Sequence, residues 1–415
     1  MQLRPHQQRA LDAMLTADKG QIIVPTGGGK TLVAIKDVER RLDNATTPQT
    51  IVVVAPRIML ATQLSFEYLE VLQRPNLHVM HVHSGETTHF STTKVDKIQL
   101  FAGVAHTAGE HVIIFTTYHS LPRVIDAGID LDCCYFDEAH NAVQRHHFIG
   151  VAAASLSSKA SYFFTATPKH TRRTNRGMNN GEIYGQVLCN VPAPELIAGG
   201  SILPPTVVPY EVDFERLKGV AAAASDRDML LGVVDSLDEH SASKVLVASP
   251  ASKVMGRLLF QTDIMFELQK RGYDILHITS KYGAYVNKTK VNREQFFDTF
   301  DAWGKDPNKK FIIFHYSILS EGINVHGLTH TVMLRQLDVI EMAQTIGRVI
   351  RMNRDDAADI AAGKIPAGAV EFYRKKTGYV TVPVFKNYGA PTIKRLQNIV
   401  NTVFVDGMPA TSVVA

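Results

Sequence analysis

Three short segments of this 415-residue chain combine residue types at spacings that suit chemistry. The first is Val24-Pro-Thr-Gly-Gly-Gly-Lys-Thr31, placed directly after a β-branched run and ahead of a helical pattern. Consecutive glycines let backbone N–H groups converge on phosphate oxygens at a helix N-terminus. Thr26, Gly27, Gly28 and Gly29 would form such a cradle, Lys30 would reach the β- and γ-phosphates, and Thr31 would hold Mg²⁺. The strict pattern opens on glycine where this chain has Val24. The plainer alternative is a flexible glycine turn before an amphipathic helix.

The second segment is Phe136-Asp-Glu-Ala-His140, at the end of the apolar run Cys133–Phe136. Two adjacent carboxylates leaving a parallel strand sit where open α/β sheets place ligands. Asp137 suits water-mediated Mg²⁺ binding, and Glu138 suits orienting and deprotonating an attacking water. A helix N-cap with acidic first-turn residues is the alternative. The third segment is Gln344-Thr-Ile-Gly-Arg-Val-Ile-Arg351, in which Gln344, Gly347, Arg348 and Arg351 share one helix face. Two arginines on an otherwise apolar helix raise the question of which negative charge they meet.

The elements that position these residues are legible as an alternation. Strands are expected at Gln21–Val24, Ile51–Ala55, His78–His83, His111–Phe115, Cys133–Phe136 and Ser161–Phe164, with helices at Lys30–Leu42 and Met59–Leu72. Short apolar strands separated by helices are the mark of βαβ units and a buried parallel sheet. The pattern lapses over the polar, basic Lys169–Gly181 and the proline-rich Val191–Pro209, which reads as a linker. It resumes with strands near Lys244–Ala248, Tyr273–Thr279, Lys310–Phe314, Thr331–Leu334 and Tyr379–Val384, and helices at Ala251–Arg271 and Asn292–Trp303. The chain therefore reads as two α/β domains, joined near residues 191–220.

Bulk composition is that of a soluble globular protein, at 45% hydrophobic and 20% charged residues. Lys and Arg number 44 against 40 Asp and Glu, too mild a balance to argue for nucleic acid unaided. The cysteines, Cys133, Cys134 and Cys189, have no paired metal spacing, and their odd count argues against a disulfide framework. No signal-peptide pattern or membrane-length apolar run is present, so a cytoplasmic location is expected. His78, His81 and His83 alternate along a strand, which divides them between two faces and favours a structural role over zinc. His146-His147 reads as a surface pair. The basic run Lys169–Arg176 divides evenly between phosphate contact and a solvated loop, and Tyr373-Arg-Lys-Lys-Thr-Gly-Tyr379 is equally ambiguous.

The glycine loop followed by Asp137-Glu-Ala-His140 resembles the superfamily 2 DEAH-box helicases and translocases, and further segments match in order. Leu3-Arg-Pro-His-Gln-Gln-Arg-Ala-Leu11 resembles the adenine-reading glutamine segment, with Gln7 as reader and Arg4 beside it. Val54–Gln63 and Phe115–Leu121 resemble the segments that grip a nucleic-acid backbone, through Arg57, Thr116 and Thr117. Thr165-Ala-Thr-Pro168 resembles the motif that couples hydrolysis to movement, through His140, Thr165 and Thr167. Lys244–Pro250 and Ser320-Glu-Gly-Ile-Asn-Val325 resemble the fourth and fifth motifs, with Glu321 and Gly322 lining the nucleotide cleft. Gln344–Arg351 resembles the sixth, whose arginines reach the nucleotide.

The resemblance implies an α/β fold of two tandem RecA-like domains, 1–205 and 206–415, each a mostly parallel sheet flanked by helices. It implies an ATP- and Mg²⁺-dependent motor, in which Glu138, Gln344, Arg348 and Arg351 are catalytic. DNA is favoured over RNA as partner, with 3′ to 5′ travel and unwinding or branch migration. The motif style is closest to phage-type recombination helicases and restriction-enzyme motors, so the alternatives are a translocase that separates no strands or an RNA helicase. A monomer is expected, with accessory protein partners open and the host cytoplasm as location if the chain is phage-encoded.

Overall fold

The structure, a computed structural model, describes residues 3–173, 175–237, 243–249, 251–279, 282–316, 327–334, 338–387 and 389–414. It divides into two units, Met1–Val191 with Pro409–Ala415, and Pro192–Met408. The first contains β1 (Lys19–Ile23), β2 (Thr50–Ala55), β3 (Leu77–Val82), β4 (Phe90–Ser91), β5 (His111–Thr117), β6 (Cys133–Phe136), β7 (Ala160–Thr165), β8 (Lys169–Thr171) and β9 (Gln186–Asn190). Eight of these form one sheet in the order β4-β3-β5-β2-β6-β7-β1-β9, every adjacent pair parallel. All residues of β2, β5, β6 and β7 are buried, which explains why these strands read as continuous apolar runs rather than alternations.

The helix Lys30–Asp43 is fixed to this sheet by a buried charge. Asp37, fully buried, accepts hydrogen bonds from the Tyr135 hydroxyl at 2.6 Å and from the guanidinium groups of Arg40 and Arg41. Arg41 in turn donates to the Tyr162 hydroxyl at 2.8 Å. Removing one partner of such a buried pair costs about 3–5 kcal/mol, so the helix has a defined axial position on the sheet.

The second unit contains β10 (Pro205–Val212), β11 (Lys244–Ala248), β12 (Asp274–Thr279), β13 (Gly283–Val286), β14 (Thr289–Val291), β15 (Phe311–His315), β16 (His330–Met333) and β17 (Gly378–Phe385). Their order is β10-β17-β16-β11-β15-β12-β13-β14, parallel except for the antiparallel β12-β13-β14 edge. The last strand, β18 (Ser412–Val414), pairs parallel with β8 in the first unit. No helix among the described residues is long and apolar enough to cross a membrane.

The stretch expected to be a linker is ordered structure: Ala193–Ala198 is helical and Pro205 opens β10. Pro205 and Pro209 are tolerated because β10 lies at the sheet edge, paired only with β17. The units divide at Val191/Pro192, and the chain returns to the first unit at Pro409, whereas the resemblance implied a division at 205/206. The helix expected over Ala251–Arg271 is broken into Ser252–Gln261 and Ile264–Lys270. At the break, Thr262 Oγ1 donates to Leu258 O at 2.6 Å and accepts from Ile264 N at 3.2 Å, replacing helical backbone bonds.

Several histidines are buried in a neutral state. In the second unit, His277 stacks on Tyr285 at 4.6 Å and His330 on Tyr379 at 4.8 Å. Burial pushes His277 down to about 4, and His330 to about 4 with Lys375 assisting. Burial and the charge of Arg348 push His315 to about 3. An unfolded histidine titrates near about 6.5, so as pH falls the unfolded chain takes up protons first. The stability from these groups is complete above about pH 6.5 and is lost as pH falls toward 4. The thermal midpoint should therefore drop between pH 7 and pH 5, with a shallower drop in His277→Gln. Calorimetry showing a pH-independent midpoint would contradict this.

Candidate active site

Strands β6, β7 and β1 lie side by side, and their parallel register brings the segments that follow them to one edge of the sheet. After β1 the chain turns through Gly27 at φ 91° and Gly29 at φ 78°, left-handed values that favour glycine. Gly28 N donates to Pro25 O at 3.0 Å, and Gly29 forms the N-cap of the helix Lys30–Asp43 with no side chain capping it. The first-turn amides thus lack a side-chain acceptor, the arrangement that binds phosphate.

The N-terminal helix Pro5–Met14 is docked against this loop. His6 Nε2 donates to Gly28 O at 2.9 Å, and Gln7 Nε2 donates to Gly29 O at 3.3 Å. Gln7 Oε1 accepts from Arg4 N at 2.9 Å at the helix start. The Gln7 carboxamide therefore braces the glycine loop, and a Cβ placed on Gly29 would collide with its Nε2. His6 was not singled out from the sequence, although it adjoins Gln7.

After β6, Asp137 N donates to Val54 O at 2.9 Å, and Asp137 O accepts from the Tyr118 hydroxyl at 2.8 Å. Glu138 then adopts a left-handed backbone at φ 46°, ψ 53°, with Asn141 Nδ2 donating to its carbonyl at 3.1 Å. Such a conformation costs a non-glycine residue about 1–3 kcal/mol and is concentrated at functional sites. It directs the buried Glu138 carboxylate between two groups: Oε1 lies 3.9 Å from Lys30 Nζ and Oε2 lies 3.5 Å from His140 Nδ1. Oε2 accepts no hydrogen bond from the described residues. Burial, and next the charge of Glu138, raise the pKa of Asp137.

His140 connects this carboxylate to the segment after β7. Its Nδ1 lies 3.2 Å from Thr165 Oγ1 and 3.4 Å from Thr167 Oγ1, while Nε2 lies 3.2 Å from Asn141 Nδ2. Because the Asn141 amide donates to Nε2, the ring proton is assigned to Nδ1, which donates toward the threonines. Thr167 N donates to Thr165 Oγ1 at 3.1 Å, and all three side chains are buried. Asn141 and His147 were not read as site residues; His147 Nδ1 donates to Asn141 O at 3.0 Å and its ring stacks on Tyr118 at 5.3 Å.

The segments expected to grip a nucleic-acid backbone divide. Arg57 is half-buried at the N-cap of the helix Ile58–Leu72, directly after β2. Thr116 is fully buried and donates to Val82 O at 2.8 Å, and the buried Thr117 Oγ1 accepts from Ser120 N at 3.2 Å. The Thr116 hydroxyl thus donates inside the unit, whereas Thr117 is engaged there as an acceptor. His81 Nδ1 lies 3.0 Å from His83 Nε2, whereas His78 pairs with Glu110, as strand alternation requires. Among the described residues no group of three or more ligating side chains could hold a metal ion. Part of the basic run after Pro168 forms β8, and Arg172 N donates to Val414 O at 3.1 Å.

In the second unit, Asp338 caps the helix Val339–Val349 by accepting from Glu341 N at 2.8 Å. Gln344 and Arg348 on this helix are buried, and Arg351 follows it in an antiparallel bridge to Ile202. Glu321 and Gly322 lie outside the described residues.

Two family models match the chain: Type III restriction enzyme, res subunit, over residues 1–170, and Helicase conserved C-terminal domain over residues 227–353. No curated protein sequence matches it. Among solved structures, the ATP-dependent Type ISP restriction-modification enzyme LlaBIII bound to DNA is similar at 16% identity and TM-score 0.71, covering 100% of this chain and 31% of that one. Mss116p bound to ssRNA and AMP-PNP matches at 15% identity and TM-score 0.62, covering 100% and 74%. Dbp5 of S. cerevisiae bound to RNA and ADP BeF3 matches at 16% and 0.57, covering 99% and 89%. The chain thus spans less than a third of the LlaBIII enzyme.

The contact of Gly29 with Gln7 makes a specific demand. Gly29→Ala adds a Cβ at a left-handed φ, costing about 1–2 kcal/mol, and displaces Gln7 from the loop. Fluorescent-nucleotide titration should show affinity lowered at least about tenfold with circular dichroism unchanged, about 1.4 kcal/mol. Unaltered affinity would mean that the loop does not depend on this contact.

Proposed function

The chain belongs to the superfamily 2 helicases, and from that premise we propose that it is an ATP-driven DNA motor of DEAH-box type, unwinding or branch-migrating its substrate. The observation that carries this reading is the buried Lys30–Glu138–His140 constellation, with Thr165 and Thr167 bonded to the histidine at one sheet edge. A P-loop lysine, a carboxylate with an unsatisfied oxygen and a linked polar relay are what phosphoryl transfer to water needs.

In this reading the amides of Gly27–Gly29 and the Lys30 ammonium hold the β- and γ-phosphates, while Arg4 and Gln7 face the adenine side. The Thr31 hydroxyl and the Asp137 carboxylate suit Mg²⁺, which binds proteins through one or two oxygens and keeps phosphate and water oxygens. When bound, Mg²⁺ neutralises charge on the phosphates. Glu138 accepts the proton of the attacking water through Oε2, oriented by Gln344. Arg348 and Arg351 stabilise the charge developing on the γ-phosphoryl group, an effect worth about 10³–10⁵ in rate. Glu321 and Gly322 join the nucleotide site. The His140–Thr165–Thr167 bonds relay the state of Glu138 to the segment after β7. Arg57 contacts the nucleic-acid backbone, which carries no base information.

A second reading, translocation along duplex DNA without strand separation, is favoured by the restriction-enzyme family model over residues 1–170. ATPase rates measured with single-stranded, duplex, forked and four-way DNA and with RNA test the substrate class. Triplex displacement without strand displacement would select the second reading. Glu138→Gln should retain ATP binding and slow hydrolysis by about 10²–10⁴. Arg351→Ala should bind ATP normally and hydrolyse it at least about 10³ more slowly. Nucleic-acid-stimulated hydrolysis surviving in either variant would refute the role given to that residue.

A further inference from the structure

The run Tyr373–Tyr379 mixes aromatic and basic side chains, yet Tyr373, Arg374 and Lys375 use their polar groups inside the second unit. The Tyr373 hydroxyl accepts from Gly368 N at 2.8 Å, and Arg374 Nη1 pairs with Asp356 and Asp359 at 2.9 Å each. Lys375 goes furthest inward. Its Nζ donates to Leu328 O at 2.7 Å, Val349 O at 2.6 Å and Arg351 O at 2.9 Å. The three donors of an ammonium are matched by three backbone carbonyls.

Two of those carbonyls belong to the segment that carries the paired arginines. Val349 is the last residue of the helix Val339–Val349, where carbonyls lack intrahelical partners and a cation is favoured by the helix dipole. Arg351 is held from another side as well, through its bridge to Ile202 and through Leu203 N, which donates to Ile350 O at 2.7 Å. The Lys375 amide itself donates to Asp356 Oδ2 at 3.2 Å, on the next helix, Arg354–Ala361. Gly378 then passes so close to the Val349 carbonyl that a Cβ there would collide with it. The backbone from Val349 to Arg351 is therefore clamped on several sides, with Lys375 at the centre.

We propose that Lys375 is the positioning residue for Arg348 and Arg351, fixing the backbone from which both guanidinium groups extend. The inference rests on the nucleotide role given above to those arginines. A misplacement of about 1 Å in a catalytic group can cost about 10²-fold in rate, so a rigid clamp on this backbone has kinetic consequences. Burial, with Arg351 and Lys244 adding to it against Asp356, pushes the Lys375 ammonium down to about 7. The lysine is therefore held at an energetic cost that a solvent-facing position would not carry.

The test is a double-mutant cycle between Lys375→Met and Arg351→Ala, read as kcat and KM for ATP. Lys375→Met should lower kcat at least about tenfold, leave KM and ADP binding within about twofold, and weaken binding of ADP with aluminium fluoride in proportion to kcat. Lys375→Arg should recover part of the rate. The double variant should lose less than the sum of the two single losses, and Lys375→Met added to Arg348→Ala with Arg351→Ala should cost no further rate. Additive losses, or equal losses in ADP and transition-state-analogue affinity, would overturn the inference and leave Lys375 as a stability residue. Where Lys375→Met lowers the folded fraction, Lys375→Gln, which keeps two donors, carries the same comparison. Full hydrolysis in Arg351→Ala would remove the underlying reading. Loss in Arg351→Ala with a normal rate in Lys375→Met would remove only the inference.

Discussion

The parallel register of β6, β7 and β1 is the constraint on which the first unit's chemistry depends. Ile23 pairs with Thr165 and Phe136 pairs with Phe163, so the chains leaving these strands emerge together. Because strand side chains alternate with a period of two, a slip of one residue would turn Thr165 away from His140. The glycine loop lies more than 100 residues before the acidic and threonine segments, and this pairing makes the three neighbours. The left-handed Glu138 follows from the same constraint. Its chain must turn at once after β6 while its carboxylate stays within reach of Lys30. The bonds from Tyr118 to Asp137 O and from Asn141 to Glu138 O offset the strain.

What local pattern can specify was legible in the sequence, and what long-range pairing specifies was not. The strands β2, β5, β6 and β7 announce themselves as apolar runs because helices cover both sheet faces, and the glycine loop because its left-handed turns need glycine. β8 and β18 are three residues each, too short for a periodic signal; their pairing joins residues about 240 positions apart, which no local pattern encodes. β10 was hidden by prolines that its edge position tolerates. In the site, the residue types of Lys30, Asp137 and Glu138 carried the reading. At Thr116, a threonine at a strand end looks the same in sequence whether its hydroxyl faces solvent or the neighbouring carbonyl of Val82. His6, Asn141 and Lys375 matter through partners distant in the chain or through backbone atoms, and a sequence displays neither.

The two units treat a helix terminus in opposite ways, and the difference follows from what each terminus must do. The helix Lys30–Asp43 begins with its first-turn amides uncapped by side chains and is anchored instead along its body, through Asp37, Tyr135 and Arg41. An anchor at the terminus itself would compete with an anionic ligand for those donors, so the holding charge is placed two turns away. The helix Val339–Val349 has the reverse problem. The side chains proposed to act lie near its C-terminal end, and its terminal carbonyls are a liability once buried. Lys375 satisfies the Val349 and Arg351 carbonyls from behind, which holds the backbone bearing Arg348 and Arg351. That use of backbone acceptors answers the burial of the helix end. It also explains why a lysine is retained where burial beside Arg351 disfavours its charged form.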